Sequence, residues 1–176
     1  MATGLEDFRS ILDKLPTKYH ALKNKYERMA VEITRQNKRA SLGRLTENLF
    51  LEILCDEEKL PVSVSEAMYE DRSYGKQVKP DLSVGNKIAY IEIKKWDDSN
   101  EVRSAIFEGY LIKKKLPDSK FYILVGGGIW SGSKTTNFLK QHTKIGTIEA
   151  VDGWFDASTI EQLANRLRND IHPDNF

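Results

Sequence analysis

One stretch of the chain places acids and a base where burial would otherwise be expected. In "KPDLSVGNKIAYIEIKKW", Lys79 to Trp96, a Pro-Asp pair precedes a strand-like run that carries Glu92 and Lys94 two residues apart. Side chains alternate faces along a strand, so Tyr90, Glu92, Lys94 and Trp96 share one face and Ala89, Ile91, Ile93 and Lys95 the other. Glu92 and Lys94 then stand about 6–7 Å apart at Cα. Gly85-Asn86 is a turn dipeptide suited to a hairpin, and a register that sets Asp81 beside Glu92 is easily built. Two carboxylates at one spot supply hard oxygen ligands for Mg²⁺, which binds through one or two carboxylates, waters and substrate phosphate oxygens. A neighbouring lysine can position a water and offset charge in a phosphorane-like transition state. That is equipment for hydrolysing a phosphodiester. The alternative is an exposed strand face with a surface ion pair, which is worth little.

The elements around this stretch follow from pattern. Leu5, Phe8, Ile11, Leu12 and Leu15 recur at helical spacing until Pro16. A second helix is expected from Thr17 to about Asn37, and a third, "SLGRLTENLFLEIL", from Ser41 with Leu42, Leu45, Leu49 and Ile53 inward. "VSVSEAMYE" (62–70) reads as one strand, followed by a polar turn at Tyr74-Gly75-Lys76 and then the hairpin. Asp98 with Glu101 forms a capping-box pattern. The helix behind it turns Val102, Ala105, Ile106, Gly109 and Tyr110 inward and stops before Pro117. "KFYILVGGG" reads as a buried strand, "TTNFLKQH" as a short helix, "IGTIEAVDG" as a strand and "ASTIEQLANRLRNDI" as a closing helix. Antiparallel strands first and βαβ crossovers later make an α/β chain with a mixed central sheet flanked by helices.

Pro80-Asp81, ten intervening residues and then Glu92-Ile93-Lys94 resemble the PD-(D/E)xK nuclease superfamily, the restriction-endonuclease-like fold. The resemblance covers roughly Ser41 to Val125. It implies an α-β-β-β-α-β core, assigned to a domain of residues 41–176, and says little about the last fifty residues or about residues 1–40, which read as an N-terminal helical arm for dimerisation or DNA contact. It implies that Asp81 bridges the metal ions, that Glu92 and the Ile93 carbonyl add ligands, and that Lys94 orients the attacking water. Glu47, on the first core helix and bordering its inward face, corresponds to an acid that assists metal or water in many members. Glu52 lies on the opposite flank. The activity implied is Mg²⁺-dependent cleavage of double-stranded DNA, as a homodimeric Type II restriction endonuclease. A Holliday-junction resolvase or repair nuclease would carry the same motif, and a catalytically silent DNA-binding module the same fold.

Other features are less specific. Lys23, Lys25, Arg28 and Arg35 line one face of the second helix, with Lys38 and Arg39 just beyond it. They form either a solvated face or a phosphate-facing one. "GGGIWSGSKTT" misses the Walker pattern, because Ser133 separates Gly132 from Lys134. No nucleotide cofactor is expected; Trp130, Ser131, Ser133 and Lys134 are candidates for DNA contacts instead. His20, His142 and His172 have no zinc-site spacing. With 176 residues, 40% of them hydrophobic and 30% charged, the chain fits one domain with a real core. The net charge is only +1, yet ten Lys/Arg oppose five Asp/Glu from Met1 to Leu45, and seven acids oppose two bases from Leu51 to Arg72. A single cysteine, Cys55, no signal-like start and no apolar run near 20 residues point to a cytoplasmic chain without a membrane span.

Overall fold

The computed structural model describes residues 4–38, 41–71, 76–95, 99–126 and 134–172. Helix α1 (Gly4–Lys14) buries Phe8, Ile11 and Leu12. Pro16 and a 3₁₀ turn, Thr17–Tyr19, lead into α2 (His20–Arg35). Helix α3 (Ser41–Glu52) buries Leu42, Leu45 and Leu49 and continues as a π-turn through Ile53–Glu57. Strands β1 (Val62–Val64), β2 (Tyr69–Asp71), β3 (Lys76–Val78), β4 (Leu82–Val84) and β5 (Ala89–Lys94) follow. Then come α4 (Ser99–Lys115), β6 (Lys120–Val125), α5 (Lys134–Gln141), β7 (Lys144–Ile145), β8 (Ile148–Glu149), β9 (Gly153–Asp156) and α6 (Ile160–Ile171). No described helix is long and apolar enough to cross a membrane.

The fold is α/β. Its central sheet runs β1-β4-β5-β6-β9. The first three strands are antiparallel, and β5, β6 and β9 are parallel. The β4–β5 hairpin forms around Gly85, whose φ is +56°, with Leu82 opposite Ile91 and Val84 opposite Ala89. Both faces of the sheet are covered. Leu82, Val84, Ala89, Ile91 and Ile93 join one core with α1, α2, α3 and α6, while Tyr90, Phe121, Ile123 and Val125 join the core under α4. Such two-sided burial is what parallel strands with helical crossovers require.

Three expectations need correction. The segment 62–70 is not one strand. The β1–β4 register runs one residue past Val64, where the Ser65 N–H donates to the Asp81 carbonyl at 3.0 Å; beyond it the chain leaves the sheet, and β2 pairs with β3 in a separate hairpin. The segment 145–153 is not one strand either. Gly146, at φ +62°, turns the chain between β7 and β8, and the strand that joins the sheet is β9, beside β6. The helices of residues 4–35 are not set apart as an arm, because Phe8, Ile11, Leu12, Tyr19, Leu22 and Tyr26 are buried in the same core as the sheet. A polar hub secures that docking. Glu58, at the end of the π-turn, takes the Tyr19 hydroxyl, Lys18 Nζ at 2.5 Å and an Arg168 nitrogen from α6 at 2.6 Å. Burial favours the neutral carboxyl, but these donors outweigh it and hold its pKa at about 2.

Helix α4 lies very close to β6. A Cβ on Gly109 would sit 2.3 Å from the Ala150 carbonyl oxygen and 2.4 Å from Phe121 Cδ1. Gly109→Ala is therefore expected to cost about 2–3 kcal/mol through overpacking, despite the better helix propensity of alanine. Urea denaturation of both proteins checks this; an unchanged midpoint would refute the close packing.

Candidate functional site

Backbone pairing between β4 and β5 stops at Leu82, because Pro80 has no N–H to donate. The side chain of Asp81 takes over where the ladder ends. Its Oδ2 accepts the Ile93 N–H at 2.7 Å. Continuing the observed register by one residue sets Asp81 opposite Glu92, so both carboxylates are on the face covered by α4. Lys94 shares that face, and its Nζ lies 2.6 Å from Glu92 Oε1 and 3.7 Å from Glu101 Oε2. These groups open into a pocket of about 230 Å³ lined by Gly43, Thr46, Glu47, Asp81, Glu92, Ile93, Lys94, Lys95 and Glu101. The pocket sits at the carboxyl end of β5, between α3 and the first turn of α4.

The structure thus brings together Glu47, Asp81, Glu92, Ile93 and Lys94. Lys95, expected on the other face, lines the same pocket because β5 ends at Lys94 and strict alternation ends with it. Glu92 and Lys94 do not lie on an exposed strand face. The Glu92 side chain is 7% exposed and that of Lys94 15%.

Burial sets the electrostatics. It pushes the Asp81 carboxyl up to about 6; the Ile93 N–H opposes this and the negative charge of Glu47 adds to it. Burial also pushes Glu92 up, to about 8, with Asp81 and Glu108 adding repulsion and Lys94 opposing. For Lys94, burial alone would favour the neutral amine, but Glu92, Glu101 and Glu108 outweigh it and hold the ammonium. One cation faces more acid than it can neutralise. Near neutral pH the Asp81–Glu92 pair therefore retains a proton, while Lys94 stays charged.

That surplus bears on metal binding. Among the described residues, no three His, Cys, Asp or Glu side chains are grouped to hold an ion between them. Mg²⁺ asks for less, since one or two carboxylates suffice when waters and substrate complete its octahedron. Glu92 Oε2 is buried and has no hydrogen-bond partner among the described residues. A buried carboxylate oxygen left unpaired is costly, and a cation would satisfy it. The donor set of Asp81 and Glu92 fits Mg²⁺ on this count.

No protein-family model, no curated protein and no solved structure matches this chain.

The residues proposed for DNA contact stand elsewhere. Lys25 pairs with Glu52 at 2.8 Å, and Glu52 also accepts the Tyr26 hydroxyl at 2.7 Å, which occupies the competing acid of α3 away from the pocket. Lys23 is half-buried, Arg28 and Lys38 are exposed, and Arg35 lies 4.0 Å from Glu32. Lys134 is exposed at the start of α5. None of them lines the pocket. Arg39, Trp130, Ser131 and Ser133 lie outside the described residues, as do Trp96 and Asp98.

Two acids of α4 escaped the sequence reading. Glu108 is 5% exposed and acts on Asp81, Glu92 and Lys94 through its charge. Glu101, read only as part of a cap, reaches Lys94. Their signal was present: Glu101, Ala105, Glu108 and Ile112 follow helical spacing along the inward stripe.

A carboxyl raised in the folded state supports the fold below its unfolded value, and that support is lost as pH rises through the folded value. The metal-free protein is therefore expected to lose stability as pH rises from about 4.5 to about 8. Glu92→Gln should flatten this loss by on the order of 2 kcal/mol. Thermal melts in chelator at about pH 5 and about pH 8.5 check it. An equal fall in both proteins would show that Glu92 does not carry the strain.

Proposed function

We propose that this chain is a Mg²⁺-dependent nuclease of restriction-endonuclease-like core that hydrolyses phosphodiester bonds of double-stranded DNA, acting as a homodimeric Type II restriction enzyme. The observation that carries this is the convergence of Asp81, Glu92 and Lys94 on one pocket in which Glu92 Oε2 is buried and unpartnered among the described residues. The order of elements lends support, since α3-β1-β4-β5-α4-β6 is an α-β-β-β-α-β succession with the β2–β3 hairpin inserted. In this reading Asp81 and Glu92 hold the cation, with the Ile93 carbonyl as a further oxygen and Glu47 at the rim. When bound, Mg²⁺ supplies Lewis acidity and a more acidic water. The chain's own groups do the positioning. Asp81 is fixed by the Ile93 N–H, Glu92 by Lys94, and the Lys94 ammonium is oriented to hold the attacking water and to offset charge growing on the phosphoryl oxygens. Glu101 draws Lys94 toward the open side of the pocket.

The test is cleavage of supercoiled plasmid with Mg²⁺. Wild type should nick or linearise it, and Asp81→Ala and Lys94→Ala should each cut at least about 100-fold more slowly. Plasmid left intact by wild type across salts and divalent metals overturns the enzyme. A Lys94→Ala variant that cuts at the wild-type rate overturns the site. Discrete fragments from a mixed-sequence plasmid library support restriction, whereas cutting confined to junctions or flaps assigns the same site to a structure-specific nuclease.

A further inference from the structure

Helix α5 and the β7–β8 hairpin present a surface that the pocket does not use. Thr136 is fully buried and Leu139 packs into the core under α4, which fixes α5 to the body. Phe138 points outward and is 59% exposed. Its ring stacks on the exposed His142, with centroids 4.1 Å apart and planes 22° from parallel, and His142 Nδ1 lies 2.8 Å from the Phe138 carbonyl. A lone exposed phenylalanine is ordinary. This one differs in its company. Helix α5 and the β7–β8 hairpin carry Lys134, Lys140, Lys144 and His142 against a single acid, Glu149, which stands across the hairpin from Lys144 and accepts the Thr143 hydroxyl. Lys134 and Lys144 are exposed, and Lys140 lies over the Trp154 ring at 5.6 Å.

An exposed aromatic ring beside three lysines that outnumber the one acid matches a partner that offers flat π-faces and a run of negative charge. Nucleic acid offers both: a base unstacked from its neighbour takes an aromatic side chain while ammonium groups meet phosphates. The surface is also within reach of the pocket. At the end of β6 the Gly126 N–H donates to the Lys94 carbonyl at 2.7 Å, and Lys134 follows eight residues later in the sequence. Eight residues span at most about 28 Å, less than the roughly 34 Å of one duplex turn.

We infer that α5 and the β7–β8 hairpin form a DNA-holding surface in which Phe138, backed by His142, stacks on a base while Lys134 and Lys144 take flanking phosphates. This rests on the nuclease reading for the identity of its polyanion, and it adds a second contact region away from the metal-binding residues.

The test measures binding apart from cleavage. Asp81→Asn protein, in Ca²⁺, is titrated against a fluorescein-labelled mixed-sequence duplex of about one to three turns, and against its single strand, by fluorescence anisotropy. Adding Phe138→Ala should weaken binding about tenfold, and since Phe138 is exposed the fold should hold, as circular dichroism will check. Lys134→Gln with Lys144→Gln should lower the slope of log affinity against log salt by about 2. Binding by the parent that neither change alters overturns this surface alone. Absence of DNA binding by the parent overturns it together with the nuclease reading. If Phe138→Ala instead dissociates an oligomer in sedimentation and leaves DNA binding unchanged, the face belongs to a second copy and the inference fails.

Discussion

The bond from the Ile93 N–H to Asp81 Oδ2 is the point from which the site is organised. It closes the β4–β5 hairpin with a side chain where Pro80 prevents the main chain from doing so. A single interaction thus terminates a ladder and orients a carboxylate. The hairpin turn at Gly85 sets which residue meets which, and a slip of one residue would move Asp81 to the opposite face from Glu92. Register, and not proximity in sequence, makes Asp81 and Glu92 neighbours.

Around that point the fold does something expensive. It covers both faces of the sheet and leaves Glu92 inside, with Asp81 beside it and Glu108 above. Buried like charges raise one another's affinity for protons, and Lys94 offsets only part of the repulsion. Elsewhere the chain treats buried acids differently. Glu58 receives a phenol, an ammonium and a guanidinium, and its carboxyl stays deep in the ionised range. Asp152 takes both the Phe121 N–H and Lys113 Nζ. The contrast between saturated structural acids and an under-neutralised cluster in a pocket is a physical mark of a functional site.

Much of this was legible in the residues. The hairpin, its register, the pairing of Glu92 with Lys94 and the border position of Glu47 follow from alternation, a turn dipeptide and a helical wheel. The α/β class followed from element order. What failed was continuity. Two apolar-alternating stretches read as single strands because nothing local announces that the chain leaves the sheet after Ser65 or that Gly146 turns between two-residue strands. The helices of residues 4–35 looked separable because charge dominates their outer faces, yet their apolar stripe is core. Glu108 sits buried in the middle of an apolar stripe, where hydrophobic periodicity carries no signal for an acid.

The two walls of the pocket differ mechanically. On the α4 side the backbone at Gly109 abuts Ala150 and Phe121, and the Lys113–Asp152 pair ties the same helix to the segment before β9. That wall is closely packed. On the α3 side, a Cβ built on Gly43 meets nothing within 4 Å. Space for an added side chain thus exists at Gly43, which lines the pocket, and is absent at Gly109, where α4 meets β6. Asp81, Glu92 and Lys94 ride on the β4–β5 hairpin, and the helix laid over that face is the one packed without clearance, so a substitution that narrows the pocket without disturbing those groups belongs at Gly43.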